Sequence, residues 1–285
     1  MGLRVIAYAP FKQGKTVLGL TMAELGDVGI LDSEARLQHY TIPHPSIKPA
    51  AFPFDHPRAV RTDNEMCRLN PKLKAALAKA GCVYVVQTKD IHEAGRAIAE
   101  FTSAPALCGI VIDSGSILWD LFQDTRDDSD PRMSMLSWTP IKRYLKRFHY
   151  SLDYGEKHVL ETAHVQEVIK KVGEQFVKAG ERPWLEKKTP HWADLTVTLD
   201  YPDNAAWPTL VVMGEGIGGA GGLRRGARLE NATFGDLVQR AGADVKAITP
   251  ELPPEEVTYR NTVTLEKIGA SAPIKGVDDN PTLPG

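Results

Sequence analysis

Short apolar runs recur along the chain, each closed by polar or turn residues. Residues 3–7, 28–32, 82–86 and 107–112 have the length and apolar density of buried strands, and the more polar 157–163 reads as the next strand. Between several of them lie stretches with apolar residues at helical spacing: 17–25, 91 to about 101, 117–122 and 137–152. Asp90 stands where an N-cap belongs for the second of these helices. Strand and helix in alternation predict an α/β fold around a mostly parallel sheet. Later the pattern changes. Residues 194–201 alternate, with Leu195, Val197 and Leu199 on one face, and 209–213 is a further apolar run, so C-terminal antiparallel strands are expected. A short helix is expected over 234–241.

Other stretches break this rhythm. Residues 40–72 carry Pro43, Pro45, Pro49, Pro53, Pro57 and Pro71 and show no period until about Asn70. They read as an irregular insertion, followed by a short helix over 71–80 that Gly81 stops. Residues 124–130 are acidic and turn-rich, and 214–222 are dense in glycine, so both read as loops. From about Pro250 the chain is rich in Pro, Glu and Asp without periodicity, which predicts a disordered tail. The expected organisation is one domain over 1–245, interrupted by the insertion at 40–80, and a flexible tail over 246–285.

The chemistry sits at the strand ends. The first strand runs into Ala9-Pro10-Phe11-Lys12-Gln13-Gly14-Lys15-Thr16-Val17, a phosphate-binding loop of the form G-x-x-x-x-G-K-[ST] with Ala9 at the first glycine position. Gly14 lets the backbone approach phosphates, Lys15 can reach the β- and γ-phosphates, and the Thr16 hydroxyl can hold Mg²⁺. The second strand ends in Asp32-Ser33-Glu34, placing Glu34 near a γ-phosphate in the crevice of an open sheet. The strand at 107–112 ends in Asp113-Ser114, where a carboxylate beside the loop serves Mg²⁺. The strand at 157–163 ends at His164, which can sense phosphate or position water.

Composition narrows the partners. A net charge of −2 gives no global attraction to nucleic acid, so any such contact needs a local patch. The helix at 137–152 is basic on one side through Lys142, Arg143, Lys146 and Arg147. Residues 165–190 combine six cations and four glutamates with Phe176 and Trp184, which suits a single nucleic-acid strand or, equally, a β-hairpin with solvated charges. Arg224, Arg225 and Arg228 are candidates to reach the nucleotide of a neighbouring copy in a homo-oligomer. Cys67, Cys82 and Cys108 lack metal-ligand spacing, as do His39, His44 and His56. An odd cysteine count, the absence of a signal peptide and the lack of a membrane-length apolar run together lead us to expect a cytoplasmic protein, in host cytoplasm if viral.

Gly14-Lys15-Thr16, Asp32-Ser33-Glu34, Asp113-Ser114 and Thr162-Ala163-His164, in this order on successive strand ends, resemble the RecA-like ATPases. Within them they look most like phage nucleotide-binding proteins of the Sak single-strand annealing type. That resemblance, over roughly residues 3–240, implies a three-layer RecA-like P-loop NTPase using ATP and Mg²⁺. Glu34 would activate water, Thr16 and Asp113 would serve the metal, and His164 would couple the γ-phosphate to DNA loops, the second at 165–190. Single-stranded DNA would be the partner. A motor or loader ATPase of phage replication or packaging, and a non-hydrolysing nucleotide switch, are the alternatives.

Overall fold

A computed structural model describes residues 2–34, 37, 41–42, 58–60, 83–125, 138–153, 156–200, 208–215 and 223–242. The expected helix at 71–80, the histidines at 39, 44 and 56, most of the acidic loop, the glycine-rich run beyond 215 and the tail lie outside these residues.

The apolar runs are strands. β1 (Arg4–Tyr8), β2 (Asp27–Asp32), β5 (Val83–Gln87), β6 (Leu107–Asp113), β7 (His158–Ala163) and β10 (Leu195–Asp200) run parallel in one sheet. β3 (Thr41–Ile42) and β4 (Arg58–Val60) extend one edge, and β11 (Thr209–Glu215) and β12 (Arg228–Leu229) extend the other, all antiparallel. The ten strands follow the order β12-β11-β10-β1-β7-β6-β2-β5-β4-β3. The α/β class, the mostly parallel centre and the C-terminal antiparallel strands are as the hydrophobic pattern predicts. The short edge strands β3, β4 and β12 carry too little periodicity to be read from sequence.

Helices cover both faces. On one lie α1 (Lys15–Thr21), the 3₁₀ turn Met22–Leu25 and α5 (Phe234–Arg240), packed with Leu18, Leu20, Met22, Phe234 and Leu237 against the sheet. On the other lie α2 (Ile91–Ser103), α3 (Gly115–Asp124) and α4 (Trp138–Asp153), with Ile98, Phe101, Phe122 and Phe148 in the core. Asp90 caps α2 as expected, accepting from His92 N and Glu93 N at 2.8 Å each. The α1 helix ends at Thr21 and tightens into the 3₁₀ turn, so the helix read over 17–25 is a composite.

Residues 165–183 form a separate two-stranded ribbon, β8 (Val165–Val172) and β9 (Gln175–Pro183), turned at Gly173 with φ 62°. It leaves the C-terminal end of β7, the same end of the sheet that carries the loop after β1.

Candidate active site

The four sequence segments converge at the carboxyl ends of β1, β2, β6 and β7, where open α/β sheets bind ligands. The loop 9–14 turns β1 into α1. Gly14 caps the helix with φ 77°, a conformation that favours glycine. Among non-glycine residues described, positive φ is confined to Lys12 and Asn231, so Ala9 keeps an ordinary backbone and needs no glycine. Ala9 is fully buried, and its N–H donates to Ala163 O at 3.3 Å. The Lys15 ammonium is folded over the loop, donating to Ala9 O at 2.7 Å and Pro10 O at 2.8 Å.

The Thr16 hydroxyl donates to Asp113 Oδ2 at 2.6 Å, and the Thr162 hydroxyl donates to Asp113 Oδ1. Burial pushes the Asp113 carboxyl above its usual range, the two hydroxyl bonds oppose this, and the nearby charges of Glu34 and Asp32 add to the rise. Asp32 is itself used structurally: Oδ1 accepts from Glu34 N at 3.1 Å and Oδ2 from Leu37 N at 2.8 Å, which shapes the turn that presents Glu34.

Ser33 staples the ends of β2 and β6. Its hydroxyl donates to Ser114 O at 2.9 Å and accepts from Ser114 N at 3.0 Å, while Ser33 N donates to Asp113 O at 2.9 Å. Glu34 Oε1 accepts from the Ser114 hydroxyl at 2.6 Å and lies 2.7 Å from His164 Nε2. Among the described residues the buried His164 Nδ1 has no hydrogen-bond partner, and the Phe11 ring packs on the imidazole at a centroid distance of 4.5 Å. A cleft of about 360 Å³ opens here, lined by Phe11, Glu34, Lys89, Asp120, His164 and Trp184, among others.

Lys15, Thr16, Glu34, Asp113 and His164 thus come together as one cluster with the loop 9–14. Arg224, Arg225 and Arg228 do not join it. All three are exposed near the β12 edge, and Arg228 pairs with Asp200 at 2.8 Å. Sequence reasoning missed Ser33, Ser114 and Thr162, which hold the acidic groups. The D-S-E and D-S segments and the threonine ending β7 contained the signal, since hydroxyls beside strand-end carboxylates are natural donors to them. It also missed Lys89, whose place in the cleft depends on β5 lying next to β2.

Strand, phosphate-type loop and helix, with acidic strand ends facing the loop across a parallel sheet, define an α/β protein of phosphate-loop architecture. No family model and no curated protein matches the chain. Among solved structures it is similar to the RadB recombinase, at 16% identity over 80% of this chain and 85% of that one, with a TM-score of 0.45. It is also similar to a KaiC-like protein of the hyperthermophilic archaeon Pyrococcus horikoshii OT3, at 14% identity over 75% of this chain and 80% of that one, with a TM-score of 0.39. These are likenesses of overall form, and the site stands on its own geometry.

Proposed function

We propose that the chain is a RecA-like P-loop ATPase that binds and hydrolyses Mg²⁺-ATP and acts on single-stranded DNA in phage-type recombination or annealing. The observation that carries the reading is the 2.6 Å bond from Thr16 to Asp113, with the Lys15 ammonium on the same loop and the Glu34–His164 pair at the ends of β2 and β7, the two strands that flank β6. These hard oxygen donors suit Mg²⁺, which takes one or two carboxylates and completes its shell with phosphate and water. Held by Thr16 and Asp113, such an ion would supply positive charge to offset that of the phosphate oxygens.

The chain's own residues do the rest. Backbone N–H groups of loop 9–14 and the start of α1 cradle the phosphates. Lys15 exchanges the Ala9 and Pro10 carbonyls for phosphate oxygens. Glu34 orients and deprotonates water, and Ser114 and His164 hold its carboxylate in place. His164 Nδ1, buried and unpartnered, suits a phosphate or water contact.

Two surfaces support a single-strand partner. The ribbon β8–β9 exposes Phe176, Ile169, Lys170 and Lys171, although Lys178 is already held by Glu167 and Glu181 at 2.8 and 2.7 Å. A groove of about 720 Å³ between α4 and residues 186–192 is lined by Lys142, Arg143, Lys146, Lys188, Tyr150 and Trp192. Cations interleaved with aromatic faces fit backbone phosphates and stacked bases. Exposed Arg224 and Arg225 favour a second reading, a ring-forming motor or loader ATPase whose subunits complete one another's sites. ATP turnover measured with single-stranded DNA, duplex DNA and no DNA tests the proposal. Stimulation by single strands that falls steeply with salt is expected. Turnover indifferent to DNA turns the assignment toward the motor, and no turnover with retained binding turns it toward a switch.

A further inference from the structure

The ribbon leaves the sheet at His164 and returns at Trp184, and both feet are tied to one side chain. The Ser116 hydroxyl accepts from His164 N at 2.8 Å and donates to Trp184 O at 2.8 Å, while Trp184 N donates to His164 O at 2.8 Å. Ser116 is buried in the first turn of α3. Two residues earlier, Ser114 caps the same helix and donates to Glu34 Oε1. Gly115 lies between them with no space to yield: a Cβ there would fall 2.0 Å from Glu161 Oε1 on β7. The first turn of α3 is therefore pressed against the sheet. It holds the ribbon with one serine and the Glu34 carboxylate with the other.

We infer that Ser116 is a positioning residue that couples the ribbon to Glu34, so that a ligand on the ribbon sets the placement of the carboxylate and nucleotide occupancy sets the order of the ribbon. The inference rests on the reading of Glu34 given above. Coupling of this kind is reciprocal, so it can be read from the nucleotide side alone. Removing the hydroxyl leaves the His164 ring beside Glu34 but unties the ribbon's feet from α3.

The test uses the full chain, Ser116→Ala and Ser116→Thr. Affinity for a Mg²⁺-bound, non-hydrolysable ATP analogue is measured by titration, and amide hydrogen exchange is followed across residues 165–183 with and without the analogue. In the parent protein the analogue should slow exchange in the ribbon. In Ser116→Ala, with nucleotide affinity unchanged, that slowing should fall by about five- to thirtyfold, the factor set by one or two hydrogen bonds. Ser116→Thr, which keeps the hydroxyl, should retain it. Full slowing in Ser116→Ala, equal loss in both variants, or a parent ribbon that ignores bound nucleotide overturns the coupling. A parent protein that binds no analogue overturns the nucleotide reading itself and this inference with it, and the titration separates that result from a failure confined to Ser116.

Discussion

Acid should weaken this protein through His158, at the start of β7. The imidazole is buried, its Nδ1 accepts from Leu3 N at 3.0 Å, and its ring meets Phe234 edge-on at 6.1 Å. Burial, with a smaller contribution from the N-terminal charge, lowers its pKa from 6.5 to about 4. The unfolded chain therefore takes up this proton more readily than the folded one. The stability contributed is fully present above pH 6.5 and is lost as pH falls through about 4. At about 1.4 kcal/mol per pH unit the full effect is about 3 kcal/mol, and between neutral pH and about pH 5 the loss is about 2 kcal/mol. That is a large share of a typical stability of roughly 5–15 kcal/mol. Urea unfolding at the two pH values, in the parent and in His158→Asn, measures it. The asparagine amide oxygen can accept from Leu3 N but does not titrate. The parent should lose about 2 kcal/mol more than the variant. Equal losses would refute the assignment of the acid sensitivity to His158.

Glu34→Gln can still accept from Ser114, so the site should hold its shape and bind ATP while turnover drops by about 10²–10⁴; a wild-type rate would name another base. Lys15→Ala should abolish steady-state hydrolysis, read by phosphate release. Gly29→Ala would set a Cβ 2.6 Å from the Phe101 ring, so thermal unfolding should show a loss of roughly 1–3 kcal/mol. Thr233→Ala removes the capping box of α5, in which Thr233 N donates to Asp236 Oδ2 at 2.8 Å, and should cost about 1 kcal/mol in the same assay.

The sequence by itself determined most of the central strands, because strands buried on both faces are dense in apolar residues; β7, which buries His158, Glu161 and Thr162, departs from that pattern. It also indicated which polar groups would meet, because those that close parallel strands gather at the carboxyl end of the sheet. Gly14-Lys15-Thr16, Glu34, Asp113 and His164 were legible on that ground. Residues 165–190 were not settled: their mix of cations, glutamates and aromatics suited a β-hairpin or nucleic-acid contacts equally, and the ribbon is formed by pairing that local pattern does not specify. The tertiary structure alone decided what holds the acidic groups. Ser33, Ser114, Ser116 and Thr162 meet their partners across sequence separations of up to 81 residues. It also decided that α4 and residues 186–192 share a basic groove, and that Lys89 faces the cleft. Strand order places these groups together, and strand order is a property of how the sheet assembles rather than of any one segment.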